Sequence, residues 1–80
     1  MKIATVIGKL EPKRAAPGFE EVKWIQVRVE KETVVAADMV DAAPGQLVLL
    51  ATGAAAERCC MTCPADPIAV AVLEEQINKI

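Results

Sequence analysis

From residue 21 to residue 30 the chain alternates. Val22, Trp24, Gln26 and Arg28 share one face, and Lys23, Ile25, Val27 and Val29 share the other. Period-two spacing of β-branched residues predicts a long strand with Ile25, Val27 and Val29 turned inward. Four further strands follow from the same pattern. Residues 2–9 read as a first strand, rich in β-branched residues and bounded by Gly8. Residues 33–37, Thr-Val-Val-Ala-Ala, follow the polar hinge Lys31-Glu32 and are expected to pair with the long strand as a hairpin. Pro44-Gly45 turns the chain into residues 46–51, apolar on both faces, which stop at Thr52-Gly53. Residues 68–73 alternate large and small side chains, a pattern that suits a tight barrel corner or a subunit seam.

The connections are equally readable. Pro12, Pro17 and Gly18 place residues 11–18 in a loop that cannot continue a ladder. Residues 38–43 are a connection. Ala54-Ala55-Ala56-Glu57-Arg58 offers good helix formers just after the Thr-Gly corner, enough for one or two turns before Pro64 and Pro67. Leu73, Ile77 and Ile80 recur at helical spacing, so residues 75–80 read as a short amphipathic tail. Five short strands with one small helix before the last point to an all-β domain spanning 1–80. Its expected form is a small, partly open barrel of the OB-like kind.

Composition adds one constraint. Hydrophobic residues make up 54% of the 80 positions and aromatic ones 2%, so the apolar surface is built from Ala, Val, Ile and Leu. A domain this small buries only about 60–65% of its unfolded surface. Apolar area left on its outside is expected to be hidden between subunits. The net charge of −2 argues against nucleic-acid or anionic-membrane partners. Lys9, Lys13 and Arg14 are the densest basic group and read as a solvated turn. Residues 3–7 are too short for the core of a signal peptide, and residues 47–51 are far too short to span a bilayer.

Candidate chemistry is sparse. The chain has no histidine and no tyrosine, and Phe19 and Trp24 are its only aromatic residues. Cys59, Cys60 and Cys63 form the one segment with site potential, with Cys60 and Cys63 in C-x-x-C spacing. A closed zinc site needs four ligands, so three thiols leave it incomplete unless another subunit or group contributes. The expectation is three reduced cysteines in the cytoplasm, with no metal and no other cofactor. A metal or redox protein is the alternative reading. Glu20 and Glu21 are adjacent and would point to opposite faces of a strand, so they cannot serve one hydrolytic site. An OB-type module binding nucleic acid or a small ligand is a further alternative, but only Trp24 and Phe19 could stack on bases.

The order of motifs resembles a known family. Met1-Lys2-Ile3-Ala4-Thr5-Val6-Ile7-Gly8, Val35-Ala36-Ala37-Asp38, Gly45-Gln46-Leu47-Val48-Leu49, Thr52-Gly53 and Pro64-Ala65-Asp66-Pro67-Ile68-Ala69-Val70 are similar to successive segments of the pentameric vertex proteins of bacterial microcompartment shells. These are the carboxysome and ethanolamine-utilisation type of small shell protein. The resemblance implies an OB-like barrel in a ring of five that caps the vertices of a cytoplasmic protein shell, beside hexameric shell proteins and without enzymatic activity. It implies a subunit seam or pore edge among Gly53, Ala54, Ala55, Ala56, Arg58, Ile68, Val70 and Val72, with Lys13 and Arg14 on the perimeter. Three departures stand out. Ala54 and Ala55 replace the family's serines, Gln46 replaces an acidic residue, and the last strand lacks the usual glycine.

Overall fold

The computed structural model describes residues 1–59 and 66–74, and their side chains apart from those of 57–59. The elements run β1 (Lys2–Leu10), β2 (Trp24–Val29), β3 (Glu32–Asp38), β4 (Leu47–Ala51), α1 (Ala54–Cys59) and β5 (Ile68–Leu73). The strands close into one barrel in the order β1-β2-β3-β5-β4. The expected architecture holds, and the barrel is closed where the sequence suggested a partly open one.

β1 makes closure possible by serving two neighbours. Lys2 to Thr5 pair with β4, and Thr5 to Leu10 pair with β2. The register slips between Val6 and Gly8, and a bulge of this kind bends and twists the strand from one partner toward the other. At Val6 the backbone also exchanges hydrogen bonds with the turn before β4. Its N–H donates to the Gln46 carbonyl at 2.9 Å, and its carbonyl accepts from the Gly45 N–H at 2.8 Å. The last seam is a short parallel one, Ala37 beside Ile68 and Asp38 beside Ala69.

The inside of the barrel holds Ala4, Val6, Ile25, Val27, Ala36, Val48, Leu50 and Ala69, all buried. Five strands enclose little room, so small side chains line most of the wall. Ile25 and Val27 point inward as expected. Val29, near the barrel end, is only half-buried. A second, smaller core lies outside the barrel wall, where α1 brings Ala56 against Ala37, Ala51 and Ile68.

Strand ends differ from the sequence reading by one residue in β1, β3 and β4, and by more at the start of β2. β2 begins at Trp24, three residues late, because the Val22 N–H donates to the Phe19 carbonyl at 3.1 Å and spends residues 19–22 on a turn. The hairpin hinge is Glu30-Lys31, one residue earlier than expected, with Val29 opposite Glu32. Glu30 adopts a left-handed φ of 56° there, as a two-residue hairpin demands at its first central position.

The turn at Pro44-Gly45 forms as anticipated. The Gln46 N–H donates to the Ala43 carbonyl at 3.1 Å and Gly45 takes a φ of 90°, the type II arrangement with proline before glycine. The connection leading to it is fastened by Asp38. This buried side chain accepts the Val40 N–H on Oδ1 at 3.1 Å and the Ala42 N–H on Oδ2 at 3.0 Å. Removing an acceptor from a buried amide costs about 1–3 kcal/mol. Asp38→Ala should therefore lower stability by about 2 kcal/mol or more in urea unfolding, and Asp38→Asn, which keeps one acceptor, by less.

Candidate assembly surfaces

Outward-facing residues of β1, β4 and β5 form an apolar sheet face. Strand register sets Ile3 opposite Leu49 and Leu49 opposite Ala71. A second row runs Thr5, Leu47, Leu73. Ile3 is 60% exposed, while Leu47, Leu49, Ala71 and Leu73 are half-buried. Val72 sits opposite the buried Val48 but near the end of its strand, and remains 41% exposed. Aliphatic side chains in adjacent rows on an open face make a candidate interaction surface. The alternation in β1, with Ala4 and Val6 inside and Ile3 and Ile7 outside, was the signal in the sequence that could have found this face.

The corner after β4 is pinned at two points. Gly53 takes a φ of 57°, and its N–H donates to Asp66 Oδ2 at 3.0 Å, joining the start of α1 to the approach of β5. The Ala55 N–H donates to the Thr52 carbonyl at 3.2 Å. Among the residues expected at a subunit seam, Gly53, Ala54 and Val72 are exposed, and Ala55 and Val70 are half-buried. Ala56 and Ile68 are enclosed in the second core, so their side chains offer a neighbour no surface within this protomer. The Arg58 side chain lies outside the described residues. Asp66, which organises this corner, was absent from the expected site. Its place in the Pro64-Ala65-Asp66 lead was the available cue.

Lys13 and Arg14 are exposed in the loop between β1 and β2. That loop turns at residues 16–19, where the Phe19 N–H donates to the Ala16 carbonyl at 2.9 Å and Gly18 takes a φ of 92°. At the end of β1, Lys9 Nζ lies 2.9 Å from Asp41 Oδ1. The hydrogen bond and the charge of Asp41 raise the Lys9 pKa, and the same bond and charge from Lys9 lower that of Asp41. An open cleft of about 720 Å³ lies beside this pair, lined by Gly18, Glu21, Val22, Lys23, Asp38 and Met39. Both Asp38 oxygens in it are already taken by backbone amides. Among the described residues no buried side-chain nitrogen or oxygen lacks a partner, and no group of three metal-ligating side chains converges. Cys60, Cys63 and the Cys59 side chain lie outside the described residues. No helix among those residues is long and apolar enough to cross a membrane.

The family model described as "Ethanolamine utilisation protein EutN/carboxysome" matches residues 1–74. The chain belongs to the EutN/carboxysome family. Among solved structures it is similar to the ethanolamine utilisation protein EutN from Escherichia coli, with 26% identity and a TM-score of 0.82, over 98% of this chain and 90% of that one. It is also similar to CcmL of Nostoc sp. PCC 7120, with 27% identity and a TM-score of 0.77, over 91% of this chain and 88% of the other. The pentameric shell protein MSM0273 from the RMM microcompartment shares the fold at 24% identity, with a TM-score of 0.81 and full coverage of both chains. No curated protein sequence matches the chain significantly.

Membership gives the departures from the family pattern a local meaning. Gln46 Oε1 accepts the Ala43 N–H at 2.8 Å, a bond that a carboxylate at the same position could equally accept. Ala54 presents an exposed methyl group at the first turn of α1, and Ala55 rests against the second core. The aspartates of two motifs, Asp38 and Asp66, both hold loop amides.

The Lys9–Asp41 pair yields a pH dependence. Because the Asp41 pKa is lowered by folding, its contribution is present above the ordinary carboxyl value and is lost as pH falls through the lowered one. Full exposure and salt screening keep that contribution small. Thermal melts of Asp41→Asn should therefore sit slightly below those of the parent at neutral pH and low salt. The two should merge once the pH falls below the lowered Asp41 value.

Proposed function

We propose that this chain assembles as a homopentamer that caps five-fold vertices of a bacterial microcompartment shell in the cytoplasm. Its role there is structural and non-enzymatic, and hexameric shell proteins are its neighbours. The observation that carries this reading is the family match across residues 1–74, on a closed barrel with an apolar patch around Ile3 and Leu49 on its outside.

Magnitudes favour a closed ring over a simple pair. Fully burying an exposed aliphatic side chain stabilises by about 1.5–3 kcal/mol, and partly covered ones contribute less. Association costs on the order of 4–15 kcal/mol in lost freedom. The face around Ile3 and Leu49 alone reaches only the low end of that cost. In a ring each protomer uses two unlike faces, one toward each neighbour, and closure satisfies both without leaving an open end. The exposed part of the corner, Gly53 and Ala54, with Val70 and Val72, is proposed as the surface that meets a neighbour's Ile3–Leu49 face. Lys13 and Arg14 then lie on the perimeter that meets hexamers.

A sheet of hexagonal units cannot close without five-fold corners, so a wedge-shaped ring supplies closure through its rim and needs no reactive residue. Native mass spectrometry at micromolar protein should give five times the chain mass. Ile3→Glu or Val72→Glu should shift the population to protomers that keep their circular dichroism spectrum. A monomer or dimer as the sole wild-type species would remove the proposal.

A further inference from the structure

We infer that Phe19 is the positioning residue of the perimeter loop: its ring, seated on Trp24, sets where Lys13 and Arg14 project. Residues 11–18 are all exposed, and Phe19 is the first side chain after β1 to become half-buried. Its ring stacks on Trp24 with centroids 6.5 Å apart and planes 17° from parallel. Two consecutive turns share this residue. Its N–H donates to the Ala16 carbonyl at 2.9 Å, and its carbonyl accepts from Val22 at 3.1 Å. A third bond, from the Gly18 N–H to Glu20 Oε2 at 3.0 Å, stiffens the same bend.

Trp24 is a firm seat for that ring. It opens β2, it is opposite Leu10 on one side and Ala37 on the other, and it packs with Val22 against the second core under α1. The loop is thus keyed to the wall that also supports the proposed subunit seam. The Lys9–Asp41 pair at the loop's start is solvent-exposed on both partners and holds weakly. Loss of the aromatic contact frees residues 11–18 while leaving every barrel ladder in place. A loosened loop must be ordered again whenever Lys13 and Arg14 meet a neighbour, which weakens that contact without touching either charge. The shell consequence rests on the vertex reading above, whereas the seating of the loop does not.

Trp24 is the only tryptophan, so its fluorescence reports the contact directly. The full-length protein, Phe19→Ala and Phe19→Tyr are compared by acrylamide quenching, by trypsin cleavage after Lys13 and Arg14, and by native mass spectrometry. Each is then co-assembled with a hexameric microcompartment shell protein and viewed by electron microscopy. Phe19→Ala should raise quenching and speed loop cleavage about fivefold or more, with the wild-type oligomer retained and closed shells lost. Phe19→Tyr, which preserves the stack, should restore all of these. Unchanged quenching and cleavage in Phe19→Ala would overturn the positioning role. A released loop with normally closed shells would overturn its consequence for shell contact. A wild-type protein that forms no ring while Phe19→Ala still frees the loop would sink the vertex reading and leave the loop assignment standing.

Discussion

The narrow bore of a five-stranded barrel governs this molecule. Alanine or valine fills the inner wall at Ala4, Val6, Val27, Ala36, Val48 and Ala69, and larger side chains enter only at Ile25 and Leu50. A chain rich in aliphatic residues therefore cannot place all of them inside. Part of the surplus goes to a second core beneath α1 and to an outer face with Ile3 and Leu49, while Leu10, Val35 and Met39 are exposed elsewhere. The first is satisfied within the protomer. The second is the face we propose to meet a neighbouring copy, and that proposal rests on the same packing limit that shapes the interior.

The connections on either side of β4 are held by short polar links rather than by bulk. Asp38 fastens the connection after β3, Gln46 the Pro-Gly turn, and Asp66 the corner before α1. Each link satisfies a backbone amide that no strand could pair. A shell component gains from such fastening, since a rim that moves must be ordered again at each contact. The second core adds to this rigidity by joining α1, β3, β5 and the approach to β2 in one small cluster.

Most of the fold was legible because the barrel is built from local patterns. Alternation exposed Ile25 and Val27, Pro44-Gly45 marked its turn, and the bounds of β5 were read correctly. The start of β2 was misplaced because alternation through Val22 continues across a turn that only the Phe19–Val22 hydrogen bond reveals. Closure was hidden for a different reason. The seam of Ala37 with Ile68 and Asp38 with Ala69 joins distant segments, and periodicity carries no information on such pairing. The expected seam included Ala56 and Ile68 because small and apolar residues look alike whether they face a neighbour or a second core. The cysteine cluster extends past the described residues, and its chemistry rests on ligand counting alone.

The central claim is that the outer face of β1, β4 and β5 is buried between copies of this chain. Carbene footprinting of the assembled protein, read residue by residue, tests it most directly. Ile3 and Leu49 should be labelled as weakly as the barrel residue Ile25, while residues 11–18 are labelled strongly. Labelling of Ile3 and Leu49 at the level of that exposed loop, in protein that is demonstrably assembled, would contradict the claim.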